Sequence, residues 1–125
     1  MKNCRQIIIW GIFLSLLSVG WSQCNDGYTE YDGECYYNDD LRVLASLIDL
    51  NDLEVELLYD IGLTIWQNGR INTLMVEGFA IHEVPENIQN LDSLFTLSFS
   101  DNELEYLPEN IGNLPSLNTL FLSNN

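Results

Sequence analysis

The feature that most constrains this chain is a pattern that repeats every twenty-three residues between Ile71 and Asn125. Leucine recurs with that spacing at three positions, Leu74, Leu97 and Leu120. Further positions recur at the same interval: Val76, Phe99 and Leu122; Pro85 and Pro108; Ile88 and Ile111; Leu91 and Leu114. Self-similarity at a period of about twenty to fifty residues is typical of repeat proteins, in which each unit stacks on the next. We therefore expect residues 71–125 to form two complete units and a truncated third.

One complete unit runs from Leu94 to Leu114 and reads Leu-x-x-Leu-x-Phe-x-x-Asn-x-Leu-x-x-Leu-Pro-x-x-Ile-Gly-x-Leu. This pattern resembles the leucine-rich repeat family in its twenty-three-residue form. The resemblance implies an α/β solenoid, that is, a horseshoe segment whose short strands form a parallel sheet on the concave face. It also implies that Asn102 and Asn125 satisfy backbone groups in the bend after each strand, whereas the first unit carries Phe79 at that position.

The N-terminus has the pattern of a secretory signal peptide. Lys2 and Arg5 precede an apolar run over residues 7–19, and small residues occupy the −3 and −1 positions of a cleavage site before Gln23. The run is shorter than the roughly twenty residues that span a membrane. We therefore expect residues 1–22 to be removed and the mature chain to be secreted or held at the cell surface, without membrane insertion. An uncleaved anchor is the alternative.

Removal of that segment leaves two cysteines, Cys24 and Cys35. An even number of cysteines in an exported chain indicates a disulfide, because the compartment is oxidising. Two Asp-Gly pairs lie between the cysteines and favour turns that would bring the sulfurs together. Two cysteines without a partner histidine fall short of the four ligands of a zinc site. The sequence therefore predicts a Cys24–Cys35 disulfide and no metal.

Residues 23–70 are expected to form an N-terminal cap. Apolar residues at helical spacing predict a helix over residues 40–50, with Asp39 and Asp40 accepting hydrogen bonds from the amides of its first turn. A second and less regular apolar set suggests a short helix that ends near Gly62.

A hairpin is predicted after that set. Asn68-Gly69 lies between two alternating apolar runs, so a strand that contains Ile65 should lie antiparallel to residues 73–76. Trp66 would then cover the open end of the repeat core. A helix and a Trp-bearing strand before the first repeat resemble the caps of secreted leucine-rich repeat proteins. The stretch from Gly27 to Tyr37 resembles that of exported bacterial members.

Charge excludes two classes of partner. Without its first twenty-two residues the chain has nineteen acidic side chains and two basic ones, Arg42 and Arg70, which gives a formal charge of −17. Binding to nucleic acid requires lysine and arginine to replace the counterions of phosphates, and anionic membranes attract basic segments. We therefore expect no nucleic-acid partner and no membrane surface.

Catalytic and cofactor patterns are missing from the sequence. His82 is the single histidine, is expected to be exposed, and has no free cysteine to act with. An acidic stretch from Asp49 does not match a calcium loop, because Leu53 takes the place of its fifth-position ligand. We therefore expect no enzyme activity within these residues, no catalytic residues and no cofactor.

The outward alternate positions of the strands are the expected binding surface on the concave face. Six of them are candidate ligand-binding residues: Met75, Glu77, Phe95, Ser98, Ser100 and Phe121. Repeat proteins bind partners through such extended surfaces, and exposed aromatic residues are enriched at interfaces. We therefore expect a secreted or cell-surface module that recognises a protein or glycan without catalysis.

Two alternatives remain open at this point. The repeats could be a structural or adhesive spacer of a larger surface protein, or an accessory region of an enzyme whose catalytic domain lies beyond Asn125. Both fit the expectation that this chain is part of a longer repeat protein, since no layer follows Leu120 and Leu122.

Overall fold

The computed structural model describes residues 24–125 in full and residues 5–10 and 16–21 as backbone. Its regular elements, in chain order, are strands β1 (Arg5–Trp10), β2 (Leu16–Trp21), β3 (Tyr28–Tyr31) and β4 (Glu34–Tyr37), helix α1 (Asn38–Leu50), a 3-10 helix (Leu58–Asp60), strands β5 (Leu63–Gln67) and β6 (Arg70–Met75), a 3-10 helix (Glu86–Asn90), strand β7 (Thr96–Ser98), a 3-10 helix (Glu109–Asn113) and strand β8 (Thr119–Phe121).

Strands β1 and β2 pair antiparallel, with Arg5 opposite Trp21. They fall within the predicted signal peptide, whose remaining residues lie outside the described residues together with the predicted cleavage point before Gln23. Within the described part of the chain, no helix is long and apolar enough to cross a membrane.

Helix α1 confirms the predicted helix and begins two residues earlier. The predicted capping role of its acidic residues is wrong. Tyr37 occupies the N-cap position and makes no side-chain capping hydrogen bond. Asp39 pairs with Arg42 instead, and Asp40 is buried against β6. A carboxylate beside an arginine gains a charge-assisted bond that is stronger than a bond to a neutral amide, which explains why Asp40 turns away from the helix end.

The predicted hairpin between β5 and β6 is confirmed. The two strands pair antiparallel, with Ile65 opposite Thr73. Asn68 and Gly69 form the turn with φ values of 52° and 76°, the left-handed conformation that this dipeptide tolerates. Glycine is required here, because a Cβ on Gly69 would lie 2.5 Å from the backbone oxygen of Cys35. The turn therefore packs directly on the disulfide-bearing hairpin.

Strands β6, β7 and β8 continue this sheet in parallel, in the order β5-β6-β7-β8. Leu74 lies opposite Leu97, and Leu97 lies opposite Leu120. Residues twenty-three positions apart are therefore direct neighbours across the parallel strands. The repeated pattern sets the strand register.

The predicted leucine-rich repeat solenoid is wrong. Residues 24–125 form a small domain with one α-helix, a two-stranded antiparallel sheet and a four-stranded mixed sheet, and not a horseshoe of repeats. In a solenoid each repeat contacts only its neighbours. Here the sheet begins with an antiparallel hairpin, and α1 packs against the 3-10 helix Glu86–Asn90. One core is therefore shared by α1 and the sheet.

Most of the predicted inward positions are confirmed by burial. Leu74, Val76, Leu97 and Phe99 are fully buried, together with α1 residues of the same core. Leu120 departs from the prediction, because it holds the same register position as Leu97 and yet is 38% exposed. Strand β8 is at the end of the sheet, so Leu120 has a neighbouring strand on one side only.

Asparagine side chains satisfy the backbone of the bends. The Asn102 Oδ1 accepts hydrogen bonds from the N–H groups of Phe79 and Ile81, both at 3.0 Å. In the following bend, Asn125 accepts one from Leu104 at 3.0 Å, as predicted. Asn51, at the end of α1, was not predicted: its Oδ1 accepts hydrogen bonds from the next bend residues, His82 and Glu83. An asparagine from the cap thus supports the part of the bend that Asn102 does not reach. Buried amides need such partners.

The predicted disulfide is confirmed: Cys24 and Cys35 are bonded, with their Cα atoms 5.6 Å apart. The bond ties the start of the described domain to β4. Strand β4 is in turn joined to the β5–β6 turn, where the Tyr37 N–H donates to the Gly69 carbonyl at 2.8 Å.

Replacing both Cys24 and Cys35 by serine is expected to lower the free energy of unfolding by about 2–3 kcal/mol, because the unfolded chain regains the entropy of an open loop. Urea denaturation followed by tryptophan fluorescence measures the change. The matched control is the wild-type protein reduced under native conditions, which should lose the same amount. An equal stability of oxidised and reduced protein would contradict the stabilising role of the bond.

Candidate functional site

The side of the four-stranded sheet that faces away from the core is the candidate functional site and is called the outward face below. Residues that pair directly across neighbouring strands have their side chains on the same side of a sheet. The register therefore arranges this face in two rows. The first row is Leu63, Met75, Ser98 and Phe121, and the second row is Ile65, Thr73, Thr96 and Thr119.

Large apolar side chains are exposed on or beside the outward face. Phe95 is 47% exposed and Phe121 is 46% exposed, and Leu63 and Ile65 on β5 are exposed as well. Phe95 precedes β7, where its backbone N–H donates to the Asn72 carbonyl at 2.8 Å. Exposed apolar groups that gather on one face of a protein are typical of an interaction surface.

Glu77 carries the only charge among the six predicted binding residues, and a buried serine orients it. The Ser98 hydroxyl donates to the Glu77 Oε1, and the Ser98 and Ser100 hydroxyl oxygens lie 3.4 Å apart. Both serines are buried, with Met75 and Phe121 flanking Ser98 in its row. Ser98 therefore holds the Glu77 carboxylate in place, and the exposed contacts of this row come from its larger side chains.

A buried ion pair attaches β6, the strand that carries Met75, to helix α1. The Arg70 guanidinium donates two hydrogen bonds of 3.0 Å to the Asp40 carboxylate. The Ile71 backbone N–H donates a third at 2.8 Å. The guanidinium also lies over the Tyr37 ring, 4.2 Å from its centroid. The start of β6 is therefore fixed by the helix.

Burial shifts the titration of this pair. It raises the pKa of Asp40 by more than the hydrogen bonds from Arg70 and Ile71 lower it. Burial also lowers the pKa of Arg70, but the hydrogen bond to Asp40 and the nearby negative charges, chiefly those of Asp40 and Asp92, together raise it by more. The two shifts favour a neutral acid and a charged guanidinium respectively. Because arginine stays charged at any physiological pH, Asp40 is the partner whose titration affects stability.

A stack of aromatic rings packs the β3–β4 hairpin against β5. Tyr59 stacks on Tyr31 and on Tyr36, with centroid distances of 5.2 and 4.9 Å, and Tyr36 meets Trp66 edge-on at 4.8 Å. The Trp66 Nε1–H donates to the Tyr59 carbonyl at 2.9 Å. The Tyr59 hydroxyl donates to Asp32, and this bond to a carboxylate raises the pKa of Tyr59 to about 12. Trp66 packs against the core, as predicted.

Two clefts lie away from the outward face. The larger encloses about 400 Å³ and is lined by His82, Glu83, Glu103, Glu105 and Tyr106. His82 is exposed, as predicted. The smaller encloses about 230 Å³ and is lined by Leu104, Glu105, Tyr106, Leu107, Leu122 and Asn125. In the described residues, no group of three or more His, Cys, Asp and Glu side chains could hold a metal ion. Neither cleft contains any of the six predicted binding residues.

The fold brings five of the six predicted residues together, with Ser100 beside Ser98, and Phe95 lies just before β7. Met75, Ser98 and Phe121 form one row, and hydrogen bonds join Glu77 to it. Leu63 and Ile65 were not among the predicted binding residues, although their alternation with Thr64 and Trp66 was visible in the sequence. Comparison with known proteins gives no relative, since no family model, no curated protein and no solved structure matches this chain. The geometry of the outward face is therefore what bears on function.

Proposed function

We propose that this chain is a non-catalytic recognition module that binds a partner protein through the outward face. The observation that supports this proposal is the gathering of exposed apolar side chains on one face of a hydrogen-bonded sheet. Phe95 and Phe121 are nearly half exposed, and Leu63 extends the row of Phe121 to the opposite edge strand. Aromatic residues in such positions commonly provide most of the binding energy at protein interfaces.

The sheet suits this role because an ion pair and asparagine hydrogen bonds fix the backbone of its strands. The Asp40–Arg70 pair holds the start of β6, and Asn102 donates to the Val76 and Phe99 carbonyls at the ends of two neighbouring strands, at 2.6 and 2.9 Å. Side chains on a rigid scaffold lose less conformational entropy on binding. A preformed face of this kind favours recognition without rearrangement.

The proposal includes export of the protein to the cell surface or the medium. The charged and apolar pattern of residues 1–22 supports a signal peptide, and the Cys24–Cys35 disulfide is of the kind that persists in oxidising compartments. The repeated pattern of residues 71–125 also supports a sequence relationship to leucine-rich repeat proteins. The formal charge of −17 that remains without residues 1–22 favours a partner that is neither a nucleic acid nor an anionic membrane.

Replacing Phe95 and Phe121 together by alanine is expected to weaken binding at least a hundredfold, since each is an exposed aromatic anchor. The probes are a displayed library of random dodecapeptides and an array of glycans, both screened with wild-type protein. Ligands selected on the wild type are then titrated against the double variant by isothermal calorimetry. Its stability should change little, because both side chains are largely exposed.

Tyr106→Ala is the matched control, because Tyr106 is 60% exposed and lies off the outward face. It should bind every selected ligand as the wild type does. Equal binding by the double variant and the wild type would contradict the proposal. Selection of glycans alone would show that the outward face recognises a carbohydrate and would contradict the choice of a protein partner.

A further inference from the structure

Glu77 is the carboxylate that a hydrogen bond holds at the outward face, and no ion pair neutralises it among the described residues. In the described residues, the ion pairs of Arg42 and Arg70 go to Asp39, Asp40 and Asp92. Glu77 is exposed and accepts its hydrogen bond from a neutral hydroxyl, that of Ser98. The outward face therefore presents an oriented carboxylate without a counterion.

An aromatic residue is the cross-strand neighbour of the serine that holds this carboxylate. Ser98 binds Glu77 and is the direct cross-strand neighbour of Phe121. Neighbouring strands are about 4.8 Å apart, and Ser98 on the strand between them joins the Glu77 side of the face to the Phe121 side. A carboxylate attracts a cation by charge, and the face of an aromatic ring attracts it through its quadrupole. Both groups therefore favour a positively charged side chain.

We propose that the outward face binds a basic protein segment that places a lysine or arginine side chain between Glu77 and Phe121. This inference depends on the proposed function and specifies the partner of the same face. Apolar residues of the segment would cover Phe95 and Met75. The charge of the domain adds attraction at long range, since nineteen acidic residues oppose two basic ones over residues 24–125.

Binding of a cation between Glu77 and Phe121 can be distinguished from attraction by the total negative charge of the domain. Attraction by general charge depends on the sum of the acidic residues, so the loss of any single carboxylate should have nearly the same small effect. A cation held between Glu77 and Phe121 depends on those two side chains. Glu77→Gln keeps the shape of the side chain and its capacity to accept from Ser98. Glu105→Gln removes the same charge from a cleft that contains none of the predicted binding residues.

The test uses the random dodecapeptide library, selected in parallel on the wild type, Glu77→Gln, Glu105→Gln and Phe121→Ala. We expect wild type and Glu105→Gln to enrich peptides that carry lysine or arginine beside apolar residues. Glu77→Gln should lose the enrichment of basic residues and keep that of apolar ones. In titrations, the best wild-type peptide should bind Glu77→Gln about five- to tenfold more weakly and Glu105→Gln less than twofold more weakly.

Each other outcome is decisive. Enrichment of basic residues that survives in Glu77→Gln would overturn the cation site, as would enrichment of apolar residues alone, and in both cases the proposed function would stand. An equal loss in Glu77→Gln and Glu105→Gln would reduce the effect to general charge and also overturn the site. A library that enriches no peptide dependent on Phe95 or Phe121 would contradict the proposed function and this inference together.

Discussion

Replacing Leu97 by alanine is expected to lower the free energy of unfolding by about 3–5 kcal/mol, the range for a leucine whose removal leaves a cavity in a packed core. Leu97 is fully buried, and its strand lies between β6 and β8. Neighbouring side chains on both sides are held by strand pairing, so the cavity cannot collapse. Urea denaturation followed by circular dichroism measures the loss.

The matched control is Leu120→Ala, the same substitution at the same register position one strand further along. Leu120 is 38% exposed and has a strand on one side only. Its removal leaves no closed cavity, so the expected loss is about 1–2 kcal/mol, which is the transfer term alone. Equal losses at the two positions would show that Leu120 is as deeply packed as Leu97 and would contradict this arrangement of the sheet.

Replacing Arg70 by methionine is expected to lower the free energy of unfolding by about 3–5 kcal/mol at pH 8, because it leaves the Asp40 carboxylate buried without its partner. The Asp40 side chain has no contact with solvent, so water cannot compensate for the loss of its partner. The control is Arg42→Met, which removes the same charge from the exposed pair with Asp39. That variant should lose less than about 1 kcal/mol.

The loss in Arg70→Met should shrink as the pH falls. Burial already raises the pKa of Asp40 above its ordinary value of 3.8, and removal of the guanidinium that lowers it raises the folded-state pKa further. A group with a raised folded-state pKa stabilises the fold below its unfolded pKa, and that contribution is lost as the pH rises through the folded value. The variant should therefore recover stability toward about pH 5, by at most about 1.4 kcal/mol per pH unit.

Denaturation curves of both arginine variants between about pH 5 and pH 8 test this expectation. Recovery at low pH in Arg70→Met, with no matching recovery in Arg42→Met, identifies the buried carboxyl group as the cause. A loss that is constant over the whole range would show that packing of the arginine side chain, and not the unpaired charge, stabilises this junction.

Local features were predictable because neighbouring residues decide them. The Asn68-Gly69 turn requires residues that accept positive φ, so the hairpin could be identified from two letters of sequence. The apolar spacing of α1 and the pairing of Cys24 with Cys35 followed in the same way. The roles of Asp40 and Asn51 were not predictable, because their partners lie about thirty residues away in the sequence.

The sequence by itself determined the register of the parallel strands, since residues twenty-three positions apart pair directly in β6, β7 and β8. It also determined which side chains are inward and which are outward along those strands. Only the tertiary structure decided that the result is a small domain with a mixed sheet, because β5 pairs antiparallel with β6 and α1 shares the core of the parallel strands. It also decided that Ser98 is buried and holds Glu77. Periodicity determines which residues are neighbours across the parallel strands. Burial depends on the elements that pack against those strands from elsewhere in the chain.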